Sequence, residues 1–235
     1  TCANGTDALQ LALMSWNIGA GDAVFVPDFT FFSTGEVVPV VNATPVFVDV
    51  EKDTFNISAE SLDMAIQKVL DEGKLVPKVV IAVDLFGQPA NYSEIRRITE
   101  KYNLLLLEDG AQGFGGTIGN QKACSFGDIS TTSFFPAKPL GCYGDGGAIF
   151  TDNDEWAALM RSYKVHGKGN DKYDNIRIGM NSRLDTLQAA ILLAKLEKFV
   201  NVELDAVNYV AECYNDKLCG IVEIPFVREG YYSSW

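Results

Sequence analysis

The sequence is poor in the residues that build metal centres and anion-binding surfaces. It has one histidine, His166, which cannot complete a zinc site. Its five cysteines, Cys2, Cys124, Cys142, Cys213 and Cys219, contain no C-x-x-C pair and lack metal-ligand spacing. They read as reduced, partly buried thiols of a cytoplasmic protein. Lys and Arg number 19 against 31 Asp and Glu, a net charge of −12. So acidic a chain offers no electrostatic footprint for nucleic acid, and an anionic membrane surface would repel it. Apolar runs such as Leu104 to Leu107 are strand-sized, far short of a bilayer span. No signal peptide is visible. No G-x-x-x-x-G-K-[ST] occurs, which excludes a P-loop NTPase. No G-x-G-x-x-G follows the first strand, which argues against a nicotinamide-linked dehydrogenase.

What is present is a patterned core. Of 235 residues, 47% are apolar, enough for one large domain or two small ones. Continuous apolar runs at Ala23–Val26, Pro45–Val50, Lys78–Phe86, Leu104–Leu107 and Ile129–Phe135 read as strands buried on both faces. Helical patterns lie between them. Leu62, Ile66, Val69 and Leu70 form one stripe after a candidate N-cap, Ser58. Asn91 with Glu94 resembles a capping box ahead of Ile95, Ile98 and Tyr102. The alternation predicts an α/β fold: a mostly parallel sheet with helices on both faces. From Leu184 to about Tyr214 the pattern stays helical, predicting a long helix that leaves the sheet domain. Residues 1–183 are thus expected to form the large domain, and 184–235 the connecting helix and the start of a small C-terminal domain. The chain begins at Thr1 without Met and stops at Trp235, so it is expected to be a fragment of a longer protein.

Ligands of open parallel sheets bind beyond the carboxyl ends of the strands, and the segments there carry chemistry. Asn4-Gly5-Thr6-Asp7 opens an apolar helix, an arrangement that offers backbone N–H groups, a hydroxyl and the helix dipole to a phosphate; a Thr N-cap would look the same. Asp109 ends a strand, where it serves either a ligand or a helix cap, and Gln112 follows within a turn. Lys138 lies between Pro136 and Pro139, ahead of Gly141, Gly144, Gly146 and Gly147. Prolines fix such a loop, glycines allow close approach, and a Lys in a partly dry pocket becomes a nucleophile toward aldehydes. Asp109 and Lys138 together suggest pyridoxal 5′-phosphate (PLP): Lys138 bonds to the aldehyde, and Asp109 keeps the pyridine nitrogen protonated.

Five ordered segments then resemble a known family. They are Asn-Gly-Thr-Asp-Ala-Leu (4–9), Val-Pro-Asp-Phe-Thr-Phe-Phe-Ser-Thr (26–34), Glu-Asp-Gly-Ala-Gln (108–112), Ser-Phe-Phe-Pro-Ala-Lys-Pro-Leu-Gly-Cys-Tyr-Gly-Asp-Gly-Gly-Ala (133–148) and Met-Asn-Ser-Arg-Leu-Asp-Thr-Leu-Gln-Ala-Ala (180–190). The sequence resembles the DegT/StrS-like nucleotide-sugar aminotransferases, which are fold-type I PLP enzymes. The resemblance implies that Lys138 and Asp109 are catalytic and that Phe31 stacks on the pyridine. It implies that Gln112 meets the ring hydroxyl, and that Ser133, Thr6 and the backbone of Gly5 and Asp7 hold the phosphate. Asn181 would reach the phosphate of the neighbouring subunit in a homodimer with shared sites. Arg183 would bind a substrate carboxylate or else only structure its loop. His166 resembles a His-Gly turn near the site, although structural packing serves as well. Gly110 stands where the family more often has Ala.

The resemblance further implies transfer of an amino group, from glutamate, to a keto sugar on a nucleotide carrier for surface polysaccharide. The sub-group most resembled uses a UDP-linked 2-acetamido-3-keto-hexuronic acid. The alternatives are a dTDP-linked keto-6-deoxyhexose acceptor and a non-catalytic PLP-fold regulator or binding module.

Overall fold

The computed structural model describes residues 1–171 and 173–235. Its core is a six-stranded sheet. In chain order the chain forms α1 (Gly5–Ser15), β1 (Asp22–Pro27), α2 (Phe32–Val40), β2 (Thr44–Val48), α3 (Ala59–Glu72), β3 (Val76–Val83), α4 (Tyr92–Tyr102) and β4 (Leu105–Asp109). It continues through β5 (Thr117–Ile118), β6 (Gln121–Lys122), β7 (Ile129–Ser133), β8 (Gly147–Phe150), α5 (Asp154–Tyr163), α6 (Thr186–Lys198), α7 (Leu204–Leu218) and β9 (Tyr231–Tyr232). The sheet order is β2-β1-β3-β4-β7-β8, parallel throughout except for the antiparallel β8.

The continuous apolar strands bury both faces because helices cover both. Val24, Val26, Val79, Ile81 and Leu107 join one core with Leu9, Leu11 and Leu13 of α1. Their neighbours Ala23, Phe25, Val80, Ala82 and Leu106 join another with Leu62 and Ile66 of α3 and Ile95 and Ile98 of α4. That alternation is the strand period of two. Trp16 and Trp156 meet edge to face, 5.6 Å apart, and fasten α1 to α5.

Several expectations change in detail. β2 is an edge strand, and its Phe47 is 62% exposed rather than buried on both sides. Ser58 caps α3 by accepting from Ser61 N–H, as expected, but Leu70 turns outward at 46% exposure. The expected capping box does not form. Asn91 precedes α4 without a side-chain cap bond, and Glu94 pairs with Arg97 one turn on. The long C-terminal helix is two helices joined by a π-helical turn at Phe199–Glu203. The extra residue of that turn rotates the register where Phe199 packs, buried, against Phe114. Beyond α7 the chain comes back to the sheet domain. β9 pairs with β5, and both ends of the Gln88 amide bind the backbone of Phe226 and Arg228.

The outward turn of Leu70 separates two changes on one helix. Ile66→Ala is expected to destabilise the fold by about 2–5 kcal/mol, through lost burial and a residual cavity. Leu70→Ala should cost less than about 1 kcal/mol. Denaturant midpoints of the two variants check this, and equal losses would show that Leu70 is packed.

Candidate active site

Eight residues singled out from the sequence line one cavity of about 660 Å³: Gly5, Thr6, Asp7, Phe31, Asp109, Gln112, Ser133 and Lys138. They come from the start of α1 and from the ends of β1, β4 and β7, so the sheet gathers them at its carboxyl edge.

The cavity's α1 end is built for close approach. The cap of α1 is Asn4, whose Oδ1 accepts from Asp7 N–H at 2.7 Å. Asp7's backbone donor is therefore already engaged, and Thr6 is free of capping: its Oγ1 shares a hydrogen bond of 2.7 Å with Ser33 Oγ. Gly5 abuts Ser133, since a Cβ there would stand 2.8 Å from the Ser133 Cβ. Only a glycine lets the helix end meet the strand end this closely.

Asp109 is the last residue of β4 and is buried. Burial pushes its carboxyl pKa up; an N–H from Ala111, a hydroxyl from Thr34 and the charge of Lys138 push it back down. These three partners favour the anion, and neither of the Asp109 oxygens is a helix cap. Lys138 sits in the turn after β7, which Lys138 N–H closes onto Phe135 O at 2.9 Å. Burial lowers the Lys138 pKa, with Asp109 opposing. Its Nζ stands 5.9 Å from the centroid of the Phe31 ring.

Gln112 Oε1 accepts from Phe86 N–H at 2.8 Å. With the oxygen taken, the amide presents its N–H₂ as a donor. A second cavity of about 570 Å³ shares Lys138 and Gln112 and is walled by Phe55, Phe86, Phe226 and Trp235.

Asn181, Arg183 and His166 lie outside both cavities. They lie between α5 and α6, where Ser182 Oγ accepts from Ala3 N–H and Lys164 Nζ donates to Thr1 O, tying this stretch to the first residues of the chain. Asn181 pairs with Val165, Asp185 stands at the N-cap of α6, and His166 is exposed with a left-handed backbone. Sequence reasoning missed Ser33 and Thr34, although both follow a strand's carboxyl end, where ligand groups were sought. It also missed Phe86, whose role is a backbone N–H that no side-chain type announces.

Residues 1–230 match the model of the DegT/DnrJ/EryC1/StrS aminotransferase family. The chain belongs to this family. It is 47% identical over 199 residues to the UDP-2-acetamido-2-deoxy-3-oxo-D-glucuronate aminotransferase of Pseudomonas aeruginosa, covering 85% of this chain and 53% of that protein. It is 39% identical over 232 residues to the UDP-N-acetyl-3-dehydro-α-D-glucosamine 3-aminotransferase of Acidithiobacillus ferrooxidans, covering 98% of this chain and 60% of that protein. Among solved structures, a DegT/DnrJ/EryC1/StrS aminotransferase from Brucella abortus superposes with a TM-score of 0.97 at 52% identity, covering 100% of this chain and 62% of that one. A Bacillus subtilis protein solved with bound cofactor PMP superposes with a TM-score of 0.87 at 32% identity, covering 100% of this chain and 52% of that one. The chain spans a little over half the length of these curated relatives.

The family member's cavity fits PLP on its own residues. It has a glycine-opened helix start beside two hydroxyls for a phosphate, an aromatic face, and a buried carboxylate within electrostatic reach of a lysine of lowered pKa.

The Asp109–Lys138 interaction yields a test that needs no cofactor. Asp109→Asn removes the one charge that holds the Lys138 pKa up, so that pKa should fall further. Pulse-labelling of amines should then modify Lys138 faster at neutral pH than in the parent. An unchanged labelling rate would separate the two groups electrostatically.

Proposed function

We propose that the full-length protein is a cytoplasmic PLP-dependent aminotransferase. In this reading it moves an amino group from glutamate to a UDP-linked 3-keto sugar for surface polysaccharide, and works as a homodimer. The observation that carries the reading is the meeting of Lys138 and Asp109 in one cavity with the Gly5–Ser133 cradle. The named activities of the two curated relatives support the choice of a UDP-linked 3-keto sugar.

In this reading PLP, when bound, supplies the electron sink for a carbanion. The chain's residues do the rest. The N-terminus of α1, Thr6 and Ser133 bind the phosphate. Phe31 covers the ring face, and Gln112 donates its N–H₂ to the ring hydroxyl. Asp109, whose anion Thr34 and Ala111 favour against burial, would hold a proton on the ring nitrogen. Lys138, whose lowered pKa favours the free amine, would take the proton from the substrate carbon as general base and give it back as general acid. The aromatic second cavity, which opens on Lys138, admits the substrates. Asn181 reaches the partner's phosphate, and Arg183 meets a substrate carboxylate with His166 beside it; the exposure of all three leaves them available for that.

Lys138→Ala is expected to abolish transamination of a UDP-3-keto sugar while leaving circular dichroism unchanged. Turnover within tenfold of the parent would overturn the assignment. Asp109→Asn should still give the yellow Lys-bound cofactor yet slow proton abstraction by orders of magnitude. Normal chemistry at saturating PLP would remove Asp109 from its role.

Shared sites predict complementation. Mixed Asn181→Ala and Lys138→Ala chains of the full-length protein should regain about half the parental activity per hybrid dimer, because one of two sites is then intact. Hybrids proved by mass spectrometry yet inactive would place both residues in one chain's site.

A further inference from the structure

Beneath the cleft lie two carboxyl groups that the proposed chemistry does not use. Asp84 follows β3, and Glu108 precedes Asp109 on β4; both are 0% exposed. Glu108 is fully provided for as an anion. Its Oε1 accepts from Cys124 N–H, and its Oε2 from Phe126 N–H at 2.7 Å, Gly127 N–H at 3.2 Å and Ser130 Oγ at 2.7 Å. Asp84 is only half provided for. Its Oδ1 accepts from Ala90 N–H at 3.0 Å and from the Tyr92 hydroxyl at 2.7 Å, while Oδ2 has no donor. The two carboxyls are neighbours: the Tyr92 ring, whose hydroxyl donates to Asp84, stacks at 4.5 Å on that of Phe126, whose N–H donates to Glu108, and each carboxyl perturbs the other's titration. Its Oδ2 also lies over Gly113, where a Cβ would stand 2.4 Å from it.

Two adjacent carboxyls in so dry a place do not both ionise. Among the described residues, the other titratable groups facing the pair are the Tyr92 phenol on α4, the Cys124 thiol before β7 and, on β9, Tyr231; none of these is cationic. Glu108 has its donors, so the proton belongs on Asp84, where it turns the orphan oxygen into a donor toward Glu108.

Asp84 also commands the Phe86–Gln112 hydrogen bond from both sides. Its backbone N–H donates to Asp109 O at 3.1 Å, and its Oδ1 holds Ala90 and Tyr92. The stretch between is thereby pinned at both ends. In it Phe86, left-handed at φ 55°, turns its N–H to Gln112 Oε1. On the other side, the Asp84 carboxyl packs on Gly113, the residue after Gln112. We propose that Asp84 is a positioning residue of the cofactor cleft: a neutral acid that donates to Glu108 and holds the loop that turns the Gln112 N–H₂ toward the cleft. The proposal rests on reading that cleft as a PLP site.

Asp84→Asn preserves this arrangement, because its amide accepts with oxygen and donates with nitrogen; Asp84→Ala removes it. The first measurement, on cofactor-free full-length protein, is thermal unfolding from about pH 5 to about pH 8. A carboxyl whose folded pKa is raised contributes stability that is full below its unfolded pKa and is lost as pH rises toward the folded value. The parent should therefore lose stability relative to Asp84→Asn as pH rises, and the gap in Tm should widen. A gap independent of pH would overturn the neutral acid.

The second measurement is the pH titration of the visible band of Lys-bound PLP. Asp84→Asn should superimpose on the parent. Asp84→Ala should shift in the same direction as Gln112→Ala, and the double variant should shift no further. Superposition of Asp84→Ala on the parent, or a shift in Asp84→Asn equal to that of Asp84→Ala, would overturn the positioning role. If Asp84→Ala does not fold, Tyr92→Phe replaces it: a smaller shift in the same direction supports the role, and superposition on the parent overturns it. A parent that forms no visible band with PLP would refute the PLP reading and, with it, the part assigned to Gln112. The Tm gap would then still decide the state of Asp84.

Discussion

An anionic carboxylate at the end of a buried parallel strand is expensive, and the cleft is arranged around meeting that expense. Burial raises the Asp109 pKa and so disfavours the anion. Thr34 on α2, the Ala111 N–H just beyond β4 and Lys138 beyond β7 each offset part of the penalty. Three separate elements must be in place before the charge is tolerable. The same geometry works in reverse on Lys138: its ammonium is disfavoured by burial and favoured by Asp109, so each group moderates the other. Strand alternation completes the arrangement. Glu108 and Asp109 are consecutive, so their side chains leave β4 on opposite faces, one into a sealed hydrogen-bond network and the other into the cleft.

Much of this was legible in the sequence, for a physical reason. Parallel strands need continuous apolar runs, and ligands gather at their carboxyl ends. Reading the residues after each run therefore found Asp109, Gln112 and Lys138, the helix start at Asn4 gave Gly5 and Thr6, and the family resemblance added Phe31; these do share a cavity. What stayed hidden depends on geometry that composition does not encode. Asn4 caps α1 where Thr6 looked equally able. Glu94 was free to choose Arg97 over the helix end. The left-handed backbone of Phe86 is imposed by packing, since a bulky side chain disfavours it. The π-helical turn at Phe199 answers to an aromatic partner, Phe114, distant in sequence.

The two cavities share Lys138 and Gln112, one built mainly of polar turns and the other walled by aromatic rings. The aromatic wall depends on the segment after α7. Ser234 Oγ donates to Gln112 O at 2.7 Å, and Trp235 Nε1 donates to Asn208 of α7 at 3.1 Å. The returning segment thus bonds to the main chain of a residue assigned to the cofactor cleft.

The first residues of the chain are stitched to its middle: Cys2 bridges to Gly147 beside β8, and Gly5 touches Ser133. On a ribosome adding about 5–20 residues per second, the partner of Cys2 emerges on the order of ten seconds after it. For that interval α1, with Leu9, Leu11 and Leu13, has β1, β3 and β4 to cover it but lacks Ile129 of β7 and Ile149 of β8. Until then the start of α1 has no Ser133 to meet. The close approach of Gly5 to Ser133 thus forms only as the fold closes.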